Sequence, residues 1–199
     1  GIYHFHPLLR LIRLQLALMR ESPDSKAISN DISEMEEMID GYIAFAAGEG
    51  DEAPQDIAIK LMLKRLVTQA RKSHKFDITL SPVKDEIPAF PMRRNAIQRA
   101  FSNIISNAIR YSSKTIVHIQ KRNDEVIITF DDNGSGIPEA RRADAVRPFI
   151  RLEESRNRRT GGTGLGLSIT SDIVLSHGGE LTLGDSPLGG LRVSIKLPI

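Results

Sequence analysis

A chain of 199 residues with 40% hydrophobic and 26% charged residues is long enough for a domain of typical size and a smaller one beside it, and its composition excludes the disordered and collagen-like classes. The formal net charge of +2, with Lys and Arg interspersed among Asp and Glu, leaves no footprint for nucleic acid as a partner. The absence of cysteine removes disulfides, thiolate metal sites and cysteine nucleophiles together, and no apolar run approaches the roughly 20 residues needed to cross a bilayer.

The first residues, GIYHFHPLL, fall inside a helical pattern and carry His4 and His6 directly before Pro7. The chain therefore reads as a fragment, and any membrane anchor belongs to a missing upstream region. Two imidazoles so placed can bind a metal, carry chemistry or start a helix. With five histidines and no cysteine, a full ligand set is hard to assemble. Residues 8 to 19 are rich in Leu, Ile and Met, and ESPDS at 21 to 25 stops that helix. A second helix carries Ile28, Ile32, Met35, Ile39, Tyr42 and Ala46, spaced 4, 3, 4, 3, 4, the seam of a heptad repeat. The apolar face of Leu8, Leu9, Leu11, Ile12, Leu14, Leu16 and Leu18 is too wide for one partner helix. Two hairpins paired into a four-helix bundle would cover it, so a homodimer through residues 1–47 is expected, against the alternative of a hairpin packed on the rest of its own chain.

GEGDEAPQ at 48 to 55 lacks periodicity and reads as a linker over 48–56. The second domain, 57–199, begins with a helix over about 56 to 73, followed by the strand FDITL (76 to 80), the segment AFPMR and a helix from about Asn95 to Tyr111. Strands TIVHIQKR and EVIITFDD follow, with Asn123 and Asp124 as their hairpin turn. A polar stretch then runs from Asn133 to Gly164, before the helix LSITSDIVLSHG and the strands ELTLG and LRVSIKLP. Helices on one side of the order and strands paired as hairpins give α+β with a mixed sheet.

The polar stretch has the length of a functional lid, and glycines sit at both of its edges. At the back, GGTGLGL (161 to 167) runs straight into a helix. Such a loop lets a ligand approach the backbone closely and presents free N–H groups and a positive dipole end, an anion or phosphate site. It is neither a Rossmann fingerprint, since no strand precedes it, nor a P-loop, since Gly-Lys-Ser/Thr is missing. At the front, DDNGSGIP (131 to 138) mimics a calcium loop, but Arg142 stands where a bidentate Glu is required. The alternative is that Asp132, at a strand end before Gly134 and Gly136, accepts a hydrogen bond from a planar ring such as an amino-purine. Asn103 and Asn107, four apart, share a helical face. Asn107 offers an oxygen to Mg²⁺, which shares such donors with substrate phosphates, and Arg110 and Tyr111 lie just beyond.

Asn-x-x-x-Asn-Ala, then Asp-x-Gly-x-Gly-Ile, Arg-Pro-Phe and Gly-Thr-Gly-Leu-Gly-Leu, in that order, resemble the ATP-binding domain of the sensor histidine kinases of two-component systems. The match spans about 57 to 199. It implies a Bergerat-type α/β sandwich holding ATP and Mg²⁺ under a lid. Asn107 then resembles the Mg²⁺ ligand of the N box, with Asn103 beside it and Arg110 and Tyr111 near the phosphates. Asp132 matches the adenine-reading aspartate, with Gly134 and Gly136. Phe149 matches the residue that anchors the lid, and Gly162, Thr163, Gly164, Leu165 and Gly166 match the phosphate-cradling loop. Ser106 stands where many relatives place a carboxylate. The chaperone and mismatch-repair ATPases share the Bergerat fold but lack the heptad hairpin and the Gly-Thr-Gly-Leu-Gly-Leu pattern.

The first fifty residues resemble the family's dimerisation and phosphotransfer hairpin, in its osmosensor-like class. There the acceptor opens a His-Asp/Glu-Leu-Arg-Thr-Pro-Leu motif. Aligning IRLQLALM without gaps puts Tyr3 at the acceptor position, aligning by Pro7 puts Ile2 there, and His4 is the histidine a small shift brings in. Phe5 replaces the acidic residue that would orient the imidazole. The resemblance implies γ-phosphoryl transfer from Mg·ATP to His4, then to an aspartate of a response-regulator receiver domain. It also implies a cytoplasmic location for a portion of a parent anchored in the inner membrane. The damaged motif leads to the expectation of normal ATP binding with weak or absent autophosphorylation. The alternative is a pseudokinase, a dimeric ATP-binding scaffold without phosphotransfer.

Overall fold

The computed structural model of the chain describes residues 52–83, 86–148, 150 and 164–199, together with Ser25, Ile28, Ser29 and Ile32. Those four are helical, with Ile32 buried and Ile28 exposed. The rest of the hairpin with His4 and His6, the dimeric bundle, the linker up to residue 51, Phe149, Gly162 and Thr163 lie outside the described residues.

The elements of the second domain run β1 (Gln55–Ile57), α1 (Ile59–His74), β2 (Asp77–Leu80), β3 (Phe90–Met92), α2 (Arg94–Tyr111), β4 (Lys114–Arg122), β5 (Glu125–Asp132), α3 (Glu139–Ala145), α4 (Gly166–Ser176), β6 (Glu180–Asp185) and β7 (Leu191–Pro198). Five strands form one sheet in the order β2-β4-β5-β7-β6. The β2/β4 pair is parallel and the other pairs are antiparallel. β1 and β3 form a separate antiparallel pair. β1 starts inside the stretch that composition marks as linker.

Alternation decides which face of the sheet is covered. Val117 and Ile119 of β4, Val126, Ile128 and Phe130 of β5, and Val193, Ile195 and Leu197 of β7 are all buried. They pack in one core with the stripes of three helices. α1 contributes Ile59, Met62, Leu63, Val67 and Ala70. α2 contributes Ala96, Ile97, Ala100, Phe101, Ile104, Ile105 and Ala108, where the alanines let the helix approach closely, and α4 contributes Ile169, Ile173 and Val174. Phe101 and Phe130 meet with ring centroids 6.0 Å apart and planes tilted by 41°, a favoured aromatic geometry. The result is an α/β sandwich.

The helix ends explain how α2 is fixed. Its own N-cap, Arg93, makes no side-chain cap bond. Instead the Glu52 carboxylate accepts from Asn95 N–H at 2.9 and 3.1 Å and from Ala96 N–H at 3.3 Å, covering orphan donors and the positive dipole end. At the other end Ser112 donates through its backbone N–H and its hydroxyl to the Ala108 carbonyl, at 2.9 and 2.8 Å. Asn123 takes a φ of 55° in the β4–β5 turn, the left-handed backbone a two-residue hairpin turn asks for. The polar stretch from Asn133 to Gly164 is not uniform, since α3 lies within it.

Candidate functional site

The ends of β4, β5 and β7 face α2 and the first turn of α4 across a small cavity. It is lined by Ile104, Asn107, Ala108, Thr115, Phe130, Asp132, Leu167, Leu191 and Val193. Of the residues singled out in the sequence, Asn107 and Asp132 therefore share one cavity.

β5 ends in two aspartates that alternation sends to opposite faces. Asp131, fully buried, accepts from Arg192 Nε at 2.7 Å and Nη2 at 2.8 Å, with His118 Nε2 3.8 Å away. That bidentate hydrogen bond holds the Arg192 guanidinium above its usual pKa against partial desolvation. Asp131 is thus committed to the sheet. Asp132 is different. Its Oδ1 accepts from Gly134 N–H at 2.8 Å and Leu191 N–H at 2.9 Å, which pins the carboxyl in one orientation. Among the described residues nothing donates to Oδ2, which is left as the acceptor at the cavity.

Close packing makes this geometry dependent on glycine. A Cβ at Gly190 would overlap Asp132 Oδ1 and Gly134 N, and one at Gly134 would overlap the Tyr111 carbonyl oxygen. Asn133 fastens the same corner: its Oδ1 accepts from Ser113 N–H at 3.0 Å and Lys114 N–H at 2.9 Å. Gly136, with φ +67°, packs against Gly190.

On the helical side Asn103 Nδ2 donates to the Gly166 carbonyl at 3.2 Å, joining α2 to the start of α4. Thr170 Oγ1 donates to that same carbonyl at 2.7 Å. Asn103 thus positions an element, whereas the Asn107 amide makes no hydrogen bond among the described residues and stands at the cavity close to Gly166. Gly164 takes a φ of +67° just before the buried Leu165, and α4 opens at Gly166. Arg110 and the exposed Tyr111 occupy the last turn of α2, outside the cavity lining.

Sequence reasoning missed Gly190, Leu191, Asn133 and Thr115. The Gly189-Gly190 pair before β7 was a visible signal for the first; the others take part only through tertiary placement. Among the described residues no cluster of three or more His, Asp or Glu is arranged to hold a metal. A cation here would be held by the Asn107 amide oxygen together with oxygens of its ligand. The Oδ2 of Asp132, the Thr115 hydroxyl, which has no hydrogen-bond partner among the described residues, and the start of α4 are the polar groups that a nucleotide's base and phosphates could use here.

Residues 92–199 match the family model described as histidine kinase-, DNA gyrase B-, and HSP90-like ATPase. The sensor histidine kinase CpxA of Escherichia coli K12 is 34% identical over 202 residues, covering 95% of this chain and 44% of that protein. The sensor protein RstB of the same organism is 30% identical over 200 residues, covering 97% of this chain and 46% of that protein. The chain thus spans less than half the length of these curated relatives. The crystal structure of the ATP binding domain of PrrB from Mycobacterium tuberculosis is 29% identical, with a TM-score of 0.58 over 74% of this chain and 97% of that one. With more than half of its length inside the matched family, the chain belongs to the histidine kinase-, DNA gyrase B- and HSP90-like ATPases, among which it is similar to the sensor histidine kinases.

Proposed function

We propose that this chain is the kinase core of a sensor histidine kinase: it binds Mg·ATP at the cavity between the sheet and α2 and α4, and transfers the γ-phosphate to a histidine and then to a receiver-domain aspartate of a response regulator. The observation that carries the reading is Asp132. Its carboxyl is fixed by two backbone N–H groups through Oδ1, which leaves Oδ2 to accept from the exocyclic amine of adenine. Asn107, which makes no hydrogen bond among the described residues and stands beside the start of α4, supplies an oxygen for Mg²⁺, whose chemistry is to neutralise phosphate charge. Arg110 and Tyr111 at the end of α2, Gly134 and Gly136 after β5, Phe149 in the lid, and Gly162, Thr163, Gly164, Leu165 and Gly166 before α4 complete the nucleotide site. Residues 1–47 form the dimeric four-helix bundle, with His4 as the acceptor. The parent protein is anchored in the membrane upstream; among the described residues no helix is long and apolar enough to cross one.

A second reading is favoured by one observation, Phe5 in place of an acidic residue after His4: a pseudokinase that binds ATP without transferring phosphate. Incubation of the chain with γ-labelled ATP, with and without a receiver domain, separates the two. The expected outcome for the kinase, its autophosphorylation weakened by Phe5, is nucleotide binding with a low level of acid-labile phosphate that disappears in His4→Gln; binding with no label at all is the outcome of the pseudokinase. Robust labelling of wild type that disappears in His4→Gln would establish a competent acceptor and remove the pseudokinase.

A further inference from the structure

α1 lines no part of the nucleotide cavity, and its outer face carries charge of one sign. Residues 60 to 76 hold six Lys and Arg and no Asp or Glu, whereas residues 27 to 59 hold nine Asp and Glu and no Lys or Arg. The six cations, Lys60, Lys64, Arg65, Arg71, Lys72 and Lys75, are exposed. Among the described residues none of them lies within ion-pair distance of a carboxylate. The helix itself does not call for them. Like charges four apart, as at Lys60 and Lys64, weaken a helix, and a cation in a first turn that holds no acid opposes the positive end of the dipole. An open groove of about 500 Å³ runs along this face. Leu61 and Thr68, two turns apart, mark its midline, with Lys64 on one side and Arg65 and Lys72 on the other. Thr68 spends its hydroxyl on the Lys64 carbonyl, at 2.7 Å, and Leu61 is 57% exposed. The groove is therefore apolar along its middle, with cations on both sides.

We propose that this face of α1 is a docking surface for residues 31–40 of the same chain, carboxylates against cations and Met38 against Leu61. Charge selects the occupant, because half of those ten residues are Asp or Glu and none is basic. At helical spacing Asp31, Glu34 and Met38 share one face, with Glu37 beside them, and no acid of the segment falls on the heptad seam of Ile28, Ile32, Met35 and Ile39. The segment thus offers what the groove lacks, an apolar side chain set among carboxylates, and its seam stays available to the bundle. Reach is sufficient. Glu52 is seated on this domain at the start of α2, and the twelve positions from Asp40 to Glu52 extend to about 40 Å, against a length of about 24 Å for the 16 residues of α1. Exposed ion pairs are individually weak. The tether holds the segment at a high effective concentration, which lets several such pairs act together. An anionic membrane surface would also suit the cations, but the nine carboxylates carried on the same chain repel it and lie nearer.

The test is zero-length carbodiimide cross-linking of the full chain without nucleotide, read by peptide mass spectrometry in low salt and in about 1 M salt, where the Debye length is about 3 Å. In low salt, amide links are expected between Lys64 or Lys72 and the carboxylates of residues 31–40, and in high salt they should fall to background. Glu34→Lys with Glu37→Lys is expected to abolish the links from Asp31 and Asp40, although those carboxylates and the α1 lysines all remain. Adding Lys64→Glu, Arg65→Glu and Lys72→Glu to that protein is expected to restore links between the two elements. No links in wild type at low salt, an equal yield at high salt, or no restoration in the combined variant would overturn the proposal. In an equal mixture of ¹⁵N-labelled and unlabelled chains the links should join peptides of one isotope; mixed links would seat a second copy on the face and overturn the assignment to the same chain. Missing links together with capture of the chain by phosphatidylglycerol vesicles would overturn it in favour of a membrane. Should the reversed variants not fold, the salt comparison and the isotope mixture on wild type still decide.

Discussion

At Asp132 one carboxyl group does two separable jobs. Oδ1 accepts from Gly134 and Leu191 and holds the corner together, whereas Oδ2 is the atom that, in the proposed nucleotide site, accepts from the base. Asp132→Asn keeps an oxygen for the first job and replaces the acceptor of the second with a donor. The expected outcome is a fold whose melting temperature changes little, with nucleotide affinity down by about tenfold to a hundredfold, the value of a hydrogen bond to a charged group; titration and a melting curve on one sample check both halves. Gly190 separates from its neighbours in the same way. Gly190→Ala forces a methyl against Asp132 Oδ1 and Gly134 N and is expected to cost about 1–3 kcal/mol, the range of overpacking, along with nucleotide binding. Gly184→Ala, with nothing within 4 Å of its added Cβ, is expected to change neither. Asp132 was legible because it ends an alternating strand before two glycines. That Asp131 beside it is committed to Arg192 was not, because Arg192 lies 61 positions away on a different strand.

Elements tell a similar story through their lengths. The helices α1, α2 and α4 and the strands β4, β5 and β7 carry enough periods for one face to be recognised, and Asn123 and Asp124 mark a turn by their own chemistry. β1 and β3 have three residues each, too few for a period, and pair with each other across 32 intervening positions, Ile57 opposite Phe90. Pro91 in β3 further disguises it. α3 begins after Pro138 without a side-chain cap and is seven residues of mostly charged and alanine sequence, indistinguishable by composition from the polar stretch that contains it. Glu52 is the least legible contribution: in a glycine- and proline-bearing stretch it reads as linker, yet it caps a helix more than forty positions later. Glu52→Ala uncovers the Asn95 and Ala96 N–H groups and is expected to destabilise the chain by about 1 kcal/mol, with Glu52→Gln losing less because the acceptor remains and only the charge goes. Chemical denaturation of the three proteins, read as midpoints at constant slope, measures the order.

For the molecule as a whole, the site is a product of strand order. The asparagines of α2 and the aspartates of β5 are neighbours in the chain and were recognisable as motifs, but Gly190 and Leu191 reach Asp132 only because β7 pairs with β5 and not with the strand's sequence neighbours alone. No local pattern encodes that pairing. The consequence is that the cavity is lined by α2, β4, β5, α4 and β7 together, and a ligand there bridges both layers of the sandwich. Binding should accordingly be felt by the entire fold. A ligand that binds only the native state at a hundred times its Kd adds about 2.7 kcal/mol, which for a chain of this size is a rise in melting temperature of roughly 5–11 °C. Mg·ATP is expected to produce such a shift in wild type, rising with the logarithm of ligand concentration, and in Asp132→Asn at the same concentration a shift of about a half to a seventh of it, since a tenfold to hundredfold weaker affinity leaves about 1.4 to 0.4 kcal/mol. Asn107→Ala divides the effect by metal: its shift with ATP alone should match wild type, since the Asp132 contact is intact, while the increment that Mg²⁺ adds to wild type should be missing. An equal Mg²⁺ increment in both proteins would place the cation on oxygens other than the Asn107 amide. Because all of these variants are read on one melting scale, a loss of fold shows in the ligand-free curve and is not mistaken for a loss of binding.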